Sequence, residues 1–482
     1  MTIGLAAGHA QSSEGSKARK SLDSFRREAR KDFEDFRQEA MNEFIDFVRN
    51  PWKEFDHTPA VPVPKEEPIP PVVMPKEDKG KPLLDNPVPI KDVIKPLVVL
   101  PQPKPVMPVI EIPVTVARFV DFSFFGTKAM VRFDKNDRIK LKGIESNDIA
   151  DALKLMTKER YDNMLFDCLS LRDSLHLSDW AYLQMLKALA NEIEGNKTNE
   201  SALLMAYLYM QSGYKMRLAT DGTRLYMLYG TRHIVFDSIS YSIDNERYYG
   251  IENLPSRLRI CDVAFPKEKD MSLLINTVQE FNEDMSEKRN IKSKIYKDFS
   301  VSVSANKNLL EFYNTYPTSM IGDDLMTRWA MYANTPMDEG TKALLYPQLK
   351  AKLKKLSQAE AVERILNWIQ TGFEYEYDNK VWGHDRAFFP EETLFYPYCD
   401  CEDRAILLTR LVRDLLGLKC ILVYYPGHLA SAVEFTSGNV KGDYIQLDGH
   451  KYIIADATYI NAPLGRTMPR MDNHTAKVIL LE

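Results

Sequence analysis

A cysteine at the start of a helical pattern is the feature of this sequence best suited to chemistry. Residues 400–405 read Asp-Cys-Glu-Asp-Arg-Ala, and the leucines that follow recur at helical spacing until Gly417. A helix N-terminus carries unpaired N–H groups and partial positive charge, which favour the thiolate form of Cys401. Glu402 and Asp403 act in the opposite direction, because nearby negative charge raises a thiol pKa. Cys401 therefore needs a base.

A histidine and an aspartate follow the cysteine at the ends of predicted strands. Residues 418–425 are β-branched and aromatic, and a Pro-Gly pair separates them from a second strand that His428 opens. A further strand, residues 451–455, ends at Asp456. Thiol catalysis needs a nucleophile, an imidazole that takes and returns its proton, and a group that fixes the imidazole tautomer. The chain offers residues of these types in this order.

These elements resemble the transglutaminase-like superfamily of papain-type thiol enzymes. In that family a Cys-x-Asp-x-Ala element, a histidine that opens a strand and an Asp-x-Thr element form the catalytic triad, and residues 456–458 read Asp-Ala-Thr. The resemblance covers about the last third of the chain, from residue 345 onward. It implies Cys401 as nucleophile, His428 as general base and acid, and Asp456 as the orienting residue.

Two positions depart from the family pattern. Cys399 stands where a glycine is usual, and Ala430 stands where a tryptophan commonly follows the histidine by two positions. The second departure concerns how a substrate is held. Neither departure changes the three candidate catalytic residues.

Other interpretations of these residues stay open. Cys401 is also compatible with a buried structural cysteine at a helix cap. Cys399, Cys401 and His428 are compatible with a metal site, although zinc sites usually have two paired elements and the sequence has no second pair of this kind. A disulfide between the two cysteines would close a strained small ring. We favour the triad and predict neither a metal nor a cofactor.

Aromatic residues and further histidines lie near the motif. Tyr375, Tyr377 and Trp382 either line a cleft or, as is commoner for such aromatics, pack in the core or on the surface. His384, His450 and His474 occur in polar, loop-like surroundings, and we assign them no role.

Length, charge and cysteine content narrow the class of protein. A chain of 482 residues is long enough for two or three domains. The net charge of -5 gives no electrostatic reason to expect nucleic-acid binding. The sequence has no apolar stretch of about 18 residues, so we predict no transmembrane segment. Its five cysteines show no framework spacing, which argues against a disulfide scaffold.

The N-terminal region, residues 1–57, combines two features. Its first ten residues end in Gly-His-Ala, which resembles the cleavage site of a secretory signal, although the charged and apolar parts of such a signal are incomplete. We predict a truncated signal and export to the periplasm or the extracellular space, with a cytoplasmic protein as the alternative. Residues 16–49 form a predicted amphipathic helix that Pro51 ends. We rank self-association or protein contact through this helix, or folding back on the body, above membrane binding.

Three further regions follow. Residues 58–113 are rich in proline and contain no Phe, Trp or Tyr, which indicates an extended linker that acts as a spacer. Residues 114–297 and 298–482 each predict helices against an antiparallel sheet, so the fold class is α+β with a papain- or transglutaminase-like core. The helix, glycine and strand pattern of residues 200–219 repeats that of residues 401–425, which is compatible with a diverged first copy. Alignment then places Thr198 or Lys197 opposite Cys401, so that this copy lacks a thiol nucleophile.

The leading functional hypothesis is thiol-dependent acyl transfer on amide bonds of a peptide or protein substrate, as in a cysteine peptidase, an amidase or a transglutaminase. The alternative is a non-catalytic binding or assembly protein that retains the transglutaminase-like fold.

Overall fold

The computed structural model describes residues 24, 35–65, 67–95, 97–106, 109, 111–112, 118–157, 160–322 and 324–482. Helices and mostly antiparallel sheets are mixed along these residues, which confirms the α+β class. The helices are α1 (35–48), α2 (Ser146–Met156), α3 (Arg160–Ser174), α4 (Asp179–Glu194), α5 (Asn199–Gln211), α6 (Lys307–Thr315), α7 (Thr327–Asn334), α8 (Glu339–Leu353), α9 (Gln358–Gly372), α10 (Asp378–Val381), α11 (Pro390–Phe395) and α12 (Cys401–Leu416). The strands are β1 (Lys53–Asp56), β2 (Asn86–Pro87), β3 (Asp92–Ile94), β4 (Phe119–Phe124), β5 (Thr127–Arg132), β6 (Met216–Thr220), β7 (Leu225–Gly230), β8 (His233–Val235), β9 (Ser240–Ile243), β10 (Glu246–Gly250), β11 (Arg257–Cys261), β12 (Arg289–Lys292), β13 (Ser300–Val303), β14 (Ser319–Ile321), β15 (Glu374–Tyr375), β16 (Tyr398–Cys399), β17 (Cys420–Tyr425), β18 (His428–Glu434), β19 (Asp443–Leu447), β20 (His450–Ala455) and β21 (Lys477–Leu480).

Helix α12 packs against the sheet that carries the candidate site, and we call this helix and sheet the C-terminal unit. Leu407, Leu408 and Leu411 of the helical pattern are buried, and α12 ends at Gly417, whose φ of 65° lies in the left-handed region that favours glycine. The strands lie in the order β2-β19-β20-β18-β17-β21-β3. In the β17–β18 hairpin, Tyr425 is opposite His428. Helix α12 contacts β18, and the first residues of these two elements, Cys401 and His428, line one cleft.

Helix α5 and a second sheet form what we call the N-terminal unit, and its strand order matches that of the C-terminal unit. The order is β1-β11-β6-β7-β10-β9. In each unit a helix leads into a hairpin, the second strand of the hairpin pairs with the fourth strand of the unit (β10 or β20), and the last strand (β11 or β21) pairs with the first. The match agrees with a diverged copy, although common descent stays a prediction.

The structure revises the alignment between the two units by one or two residues. Thr198 is the N-cap of α5, and Asp400 is the N-cap of α12. Asn199, the first residue of α5, therefore stands where Cys401 stands, rather than Thr198 or Lys197. The conclusion that this position lacks a thiol is unchanged.

One hydrophobic core runs through both units. It contains Leu186 of α4 and Tyr209 of α5. It also contains Ala405 of α12 and Leu422 of β17, which belong to the C-terminal unit. Strand β12 pairs with β13 across the domain boundary predicted at residue 297. The two units therefore pack as neighbours around shared apolar side chains.

The described part of the predicted N-terminal helix folds back on the body. Met41, Phe44 and Val48 of α1 are buried in the shared core, and the ring of Phe44 lies 5.7 Å from that of Phe265. Residues 1–23 and 25–34, which include the predicted signal and the first half of the helix, lie outside the described residues. Contact with another protein through this helix stays a prediction.

The proline-rich segment lies along the body. Strand β2 pairs with β19, and β3 pairs with β21, so that the segment extends the C-terminal sheet at both edges. Val61 forms a bridge with Phe236, and Val73 forms one with Ile460. The extended conformation expected from its composition is present, but the segment does not hold the body away from α1, as a spacer would.

Other elements differ from the sequence prediction. Strands β19 and β21 of the C-terminal sheet lie outside the strands predicted at residues 418–425, from His428 and at residues 451–455. Among the described residues, none of the helices combines the length and the apolar composition that a bilayer crossing requires.

Candidate active site

His428 and Asp456 form a buried, hydrogen-bonded pair. His428 opens β18, Asp456 follows the last residue of β20, and the register of these strands brings the two side chains together. The Nε2–H of His428 donates to Oδ2 of Asp456 over 3.0 Å. Nδ1 of His428 is buried, and no hydrogen-bond partner for it occurs among the described residues.

The turn after β20 fixes the carboxylate of Asp456. Its Oδ1 accepts the backbone N–H groups of Thr458, over 2.8 Å, and Tyr459, over 3.1 Å. Such a turn is typical of aspartate, whose short side chain bonds the backbone two residues ahead. Because the carboxylate only accepts, the proton of the pair is on Nε2, and Nδ1 is the basic nitrogen of the ring.

Cys401 begins α12, and its thiol is buried beside carboxylates. The residue is 5% exposed, and Sγ donates to Oε2 of Glu402 over 3.1 Å. Burial raises the pKa of the thiol well above its ordinary value, and the negative charges of Glu402 and Asp400 raise it further. The backbone N–H of Leu429 lowers this pKa in part. In this arrangement the thiol is protonated at neutral pH.

Cys401 and His428 line the same cleft, which has a volume of about 320 Å³. Trp329 and Tyr424 form an apolar wall of this cleft, and their rings stack with centroids 5.4 Å apart. The structure thus brings the three predicted site residues to one place. Between the described side chains of Cys401 and His428 there is no hydrogen bond, because the thiol donates to Glu402 instead.

Carboxylates crowd the side of the cleft next to the thiol. Oxygen atoms of Asp378, Asp385 and Glu402 lie within 4.8 Å of one another, and so do ligand atoms of Asp400, Cys401 and Glu402. Burial, followed by the charge of Glu402, raises the pKa of Asp378 to about 8. Burial and the same neighbour also raise the pKa of Asp400 well above its ordinary value.

The proline-rich segment forms a further wall of the cleft. Pro62, Pro64 and Pro68 line it together with Cys401. The backbone N–H of Ile69 donates to the carbonyl of Gly427 over 2.9 Å, in the turn just before His428. The segment therefore lies directly beside the candidate catalytic residues.

The remaining residues considered from the sequence lie in several places. Cys399 is buried and donates to the carbonyl of Glu374, and the structure has both Cys399 and Cys401 as free thiols. Tyr377 and His384 line the cleft, whereas Trp382 packs against Phe388 and Tyr396. His450 is exposed and pairs with Glu434, and His474 is also exposed. Tyr375 has a buried hydroxyl without a hydrogen-bond partner among the described residues.

Two parts of the site were missed in the sequence. Asp378 and Asp385 lie in and after the short helix α10, about 20 residues before Cys401, and no spacing rule connects them with it. The part of the proline-rich segment that lines the cleft, residues 62–68, lies more than 300 residues from Cys401, and its composition indicated only an extended chain. Both reach the cleft through tertiary packing alone.

Comparison with protein families identifies the C-terminal unit. Residues 345–475 match the family model described as a transglutaminase-like domain. This range contains Cys401, His428 and Asp456, and it leaves out the N-terminal unit. The comparison with curated proteins gave no match to the sequence. The C-terminal third of the chain thus carries a transglutaminase-like domain, as its motifs had indicated.

Proposed function

We propose that the C-terminal unit catalyses thiol-dependent acyl transfer on amide bonds of peptides or proteins, most simply as a cysteine peptidase or amidase. The observation that carries this proposal is the state of His428. Asp456 holds the Nε2–H of the ring, Nδ1 has no partner among the described residues, and His428 lines the same cleft as Cys401. An imidazole held in this way has its basic nitrogen ready to accept a thiol proton.

The first step requires the hydrogen bond from the thiol of Cys401 to Glu402 to break. Rotation about the Cα–Cβ bond of Cys401 turns Sγ from Oε2 of Glu402 toward Nδ1 of His428, which takes the proton. The resulting thiolate is stabilised by the imidazolium, and the imidazolium is stabilised by Asp456. The raised thiol pKa of the resting arrangement keeps the sulfur protonated until this rotation occurs.

The second step forms and resolves a thioester. The thiolate attacks the amide carbonyl, the C–N bond breaks, and the imidazolium of His428 donates its proton to the leaving amine. Water then attacks the thioester and gives a proton back to Nδ1, which releases the acid and restores the thiol. An amine in place of water gives transamidation instead.

Two groups are our candidates for stabilising the oxyanion. The backbone N–H of Cys401 is at the first turn of α12, where N–H groups have no partner within the helix. The hydroxyl of Tyr375 is buried without a partner, and negative charge on Cys401 is among the causes that raise its pKa, after burial. We propose Tyr375 as the second donor.

The direct test is amide cleavage by the full chain. A library of peptides is incubated with the protein, and new N-termini are identified by mass spectrometry. We expect cleavage that Cys401→Ala abolishes and that Cys399→Ala, a change at the neighbouring buried cysteine, preserves. Added amine nucleophiles would give amide products if the thioester is resolved by transamidation.

A binding or assembly protein is the second candidate, and two observations favour it. The thiol of Cys401 donates to Glu402 rather than to the imidazole, and the proline-rich segment occupies one side of the cleft. Absence of any product that depends on Cys401, in a folded protein, would favour this candidate over the enzyme.

A further inference from the structure

A pocket in the N-terminal unit, which we call the N-terminal pocket, lies where the C-terminal unit has its candidate active site. It is lined by Thr198 at the N-cap of α5, by Leu225 at the start of β7 and by Ile251 directly after β10. Its volume is about 60 Å³. Because one water-sized group needs about 10–15 Å³, the pocket takes roughly four to six non-hydrogen atoms.

The strand registers show that the two positions correspond. The fourth residue of β7, Leu228, is opposite Gly250, the last residue of β10. The fourth residue of β18, Ser431, is opposite Ala455, the last residue of β20. The starts of the helix and of the second hairpin strand, and the end of the fourth strand, therefore surround a pocket in both units.

Positive charge predominates among the residues that line the N-terminal pocket. Lys187, Lys197 and Arg224 line it, with Glu252 as the one acidic residue among the described lining residues. Nζ of Lys187 lies 3.2 Å from Oε1 of Glu252, and Nη2 of Arg224 lies 3.5 Å from Oε2. Within the described part of the chain, no carboxylate lies within ion-pair distance of Lys197. One carboxylate therefore serves three cations.

The protonation of Glu252 agrees with this excess of positive charge. Burial raises the pKa of its carboxyl group, but the charges of Lys187, Lys197 and Arg224 together bring the pKa below its ordinary value. Glu252 is therefore ionised at neutral pH and still leaves two of the three positive charges without compensation inside the pocket. This charge favours an anionic ligand.

Apolar side chains form much of the remaining lining of the N-terminal pocket. They come from α5, β7 and the turn after β10, and they are Ala202, Met205, Leu225, Met227, Ile251 and Leu254. A lining of this mixed kind suits a ligand with an anionic group and a hydrocarbon part. A carboxylate on a short aliphatic group matches both the charge and the volume, whereas inorganic phosphate has no part that would cover the apolar side chains.

We infer that the N-terminal pocket binds the carboxylate of a short aliphatic group, with Lys197 and Arg224 as the cations that hold it and with Met205 and Met227 against the hydrocarbon. The group is either a free short-chain acid or the C-terminal residue of a peptide. The bound carboxylate competes with Glu252 for positive charge. The inference does not depend on the proposed function, because none of these residues lines the cleft of the C-terminal unit.

The first experiment follows methionine methyl resonances in the full chain. Protein that is labelled with carbon-13 at these methyl groups is titrated with butanoate and, separately, with butanamide, its uncharged counterpart. We expect butanoate to shift the resonances of Met205 and Met227 with a Kd of about 1 mM, which a ligand of this size can reach. Butanamide should shift them little, and salt should weaken the binding of butanoate. Met468, in another apolar cluster, is the internal control.

A second ligand distinguishes the two sources of the carboxylate. N-acetyl-leucine presents a C-terminal residue, with an acetyl group in place of the preceding peptide. Binding of N-acetyl-leucine that is tighter than that of butanoate assigns the pocket to a peptide C-terminus. Weaker binding assigns it to a free short-chain acid.

Charge variants then locate the site. Lys197→Asn removes a charge and introduces a residue type that tolerates the left-handed backbone of this position, where φ is 58°. This variant and Arg224→Gln should each weaken butanoate binding about three- to fivefold, as expected for one exposed charge pair. Glu252→Gln should strengthen it by a similar factor, because Lys187 and Arg224 lose their partner. Lys350→Gln, at an exposed lysine outside the pocket, is the matched control and should bind as the unmodified chain does.

Several results would overturn the inference. One is the absence of any shift of the Met205 and Met227 resonances up to about 20 mM butanoate, well above the expected Kd. Others are equal binding of butanamide, weaker binding by Glu252→Gln, or unchanged binding by Lys197→Asn and Arg224→Gln. A response to inorganic phosphate without one to butanoate would also contradict it.

The inference and the proposed enzyme fail separately. Cys401→Ala should abolish amide cleavage and keep butanoate binding, because the sulfur does not line the N-terminal pocket. Loss of butanoate binding in Cys401→Ala, in a protein that melts normally, would contradict the assignment of the ligand to this pocket.

Discussion

The two units show what one topology does with and without reactive side chains. In the C-terminal unit, the helix start and the ends of two strands carry Cys401, His428 and Asp456. In the N-terminal unit, matching the strand registers puts Leu225 where His428 stands and Ile251 where Asp456 stands. At these two matched positions the N-terminal unit therefore has apolar side chains in place of the histidine and the aspartate. The fold brings three positions together, and the residue types decide whether chemistry follows.

Two buried histidines, His233 and His428, differ in the hydrogen-bond partners of their ring nitrogens. In His233, next to the N-terminal sheet, Nε2 accepts the backbone N–H of Leu273 and Nδ1 contacts the hydroxyl of Ser319, each at 3.2 Å. Burial lowers the pKa of His233 to about 4, so this ring is neutral and structural. In His428 one nitrogen is bonded and the other has no partner among the described residues. An unused basic nitrogen in a cleft distinguishes a candidate catalyst from a core residue.

The largest effect is expected from removal of the nucleophile or the base. Cys401→Ala and His428→Ala should each lower kcat by at least about 10⁴-fold, because members of a triad act as a unit. Asn199→Ala makes the equivalent change in the N-terminal unit and should leave kcat unchanged. Steady-state kinetics on a cleaved peptide checks this. A comparable loss for Asn199→Ala would mean that the N-terminal unit is not catalytically inert.

Substitution of the orienting residue, Asp456, should have the next largest effect on kcat. Asp456→Ala removes the acceptor that keeps the proton on Nε2, so that the ring is free to present an N–H to the thiol. We expect kcat to fall by about 10³- to 10⁴-fold. Full activity of this variant, in a protein that melts normally, would show that Asp456 does not set the tautomer.

A smaller effect is expected at the proposed oxyanion donor. Tyr375→Phe deletes one hydroxyl and keeps the ring that packs under Arg404. The fall in kcat should be about 10²- to 10³-fold, with KM little changed, because the bond forms in the transition state. An increase in KM at constant kcat would instead assign Tyr375 to substrate binding.

Substitution of His233 should change the pH dependence of stability and leave catalysis unchanged. The unfolded state takes up a proton on His233 near pH 6.5, whereas the folded state does so only near pH 4. Stability is therefore retained above pH 6.5 and is lost as the pH falls toward 4, by about 2–3 kcal/mol between pH 7.5 and 4.5. Urea unfolding of the unmodified chain and His233→Gln at the two pH values checks this. The same pH dependence in both would contradict a neutral buried His233.

Much of the candidate site was predictable because its parts are local patterns. The helix that begins at Cys401, the strand that begins at His428 and the Asp-Ala-Thr turn each have a sequence signature, and a sheet register brings them together. Asp378, Asp385 and the proline-rich wall have no such signature. They reach the cleft through contacts between distant parts of the chain, which periodicity does not encode.

For the fold as well, elements defined by local sequence patterns were predictable, and elements defined by long-range pairing were not. The helix that begins at Cys401 was predicted from its apolar spacing, but edge strands such as β2 and β3 were not, because their pairing depends on a partner far along the chain. Composition predicted an extended proline-rich segment, and strands β2 and β3 lie within it. It carried no information on whether that segment lies on the body or extends into solvent.

The most direct test of the account is whether His428 activates Cys401. The rate of alkylation of Cys401 by iodoacetamide is measured against pH in the unmodified chain and in His428→Ala, with peptide mapping to separate it from the other cysteines, all of which are buried. The account predicts that at pH 6.5 Cys401 reacts at least about tenfold faster when His428 is present, because only the imidazole makes thiolate available below the ordinary thiol pKa of about 8.5. Equal rates in the two proteins across the pH range would contradict it.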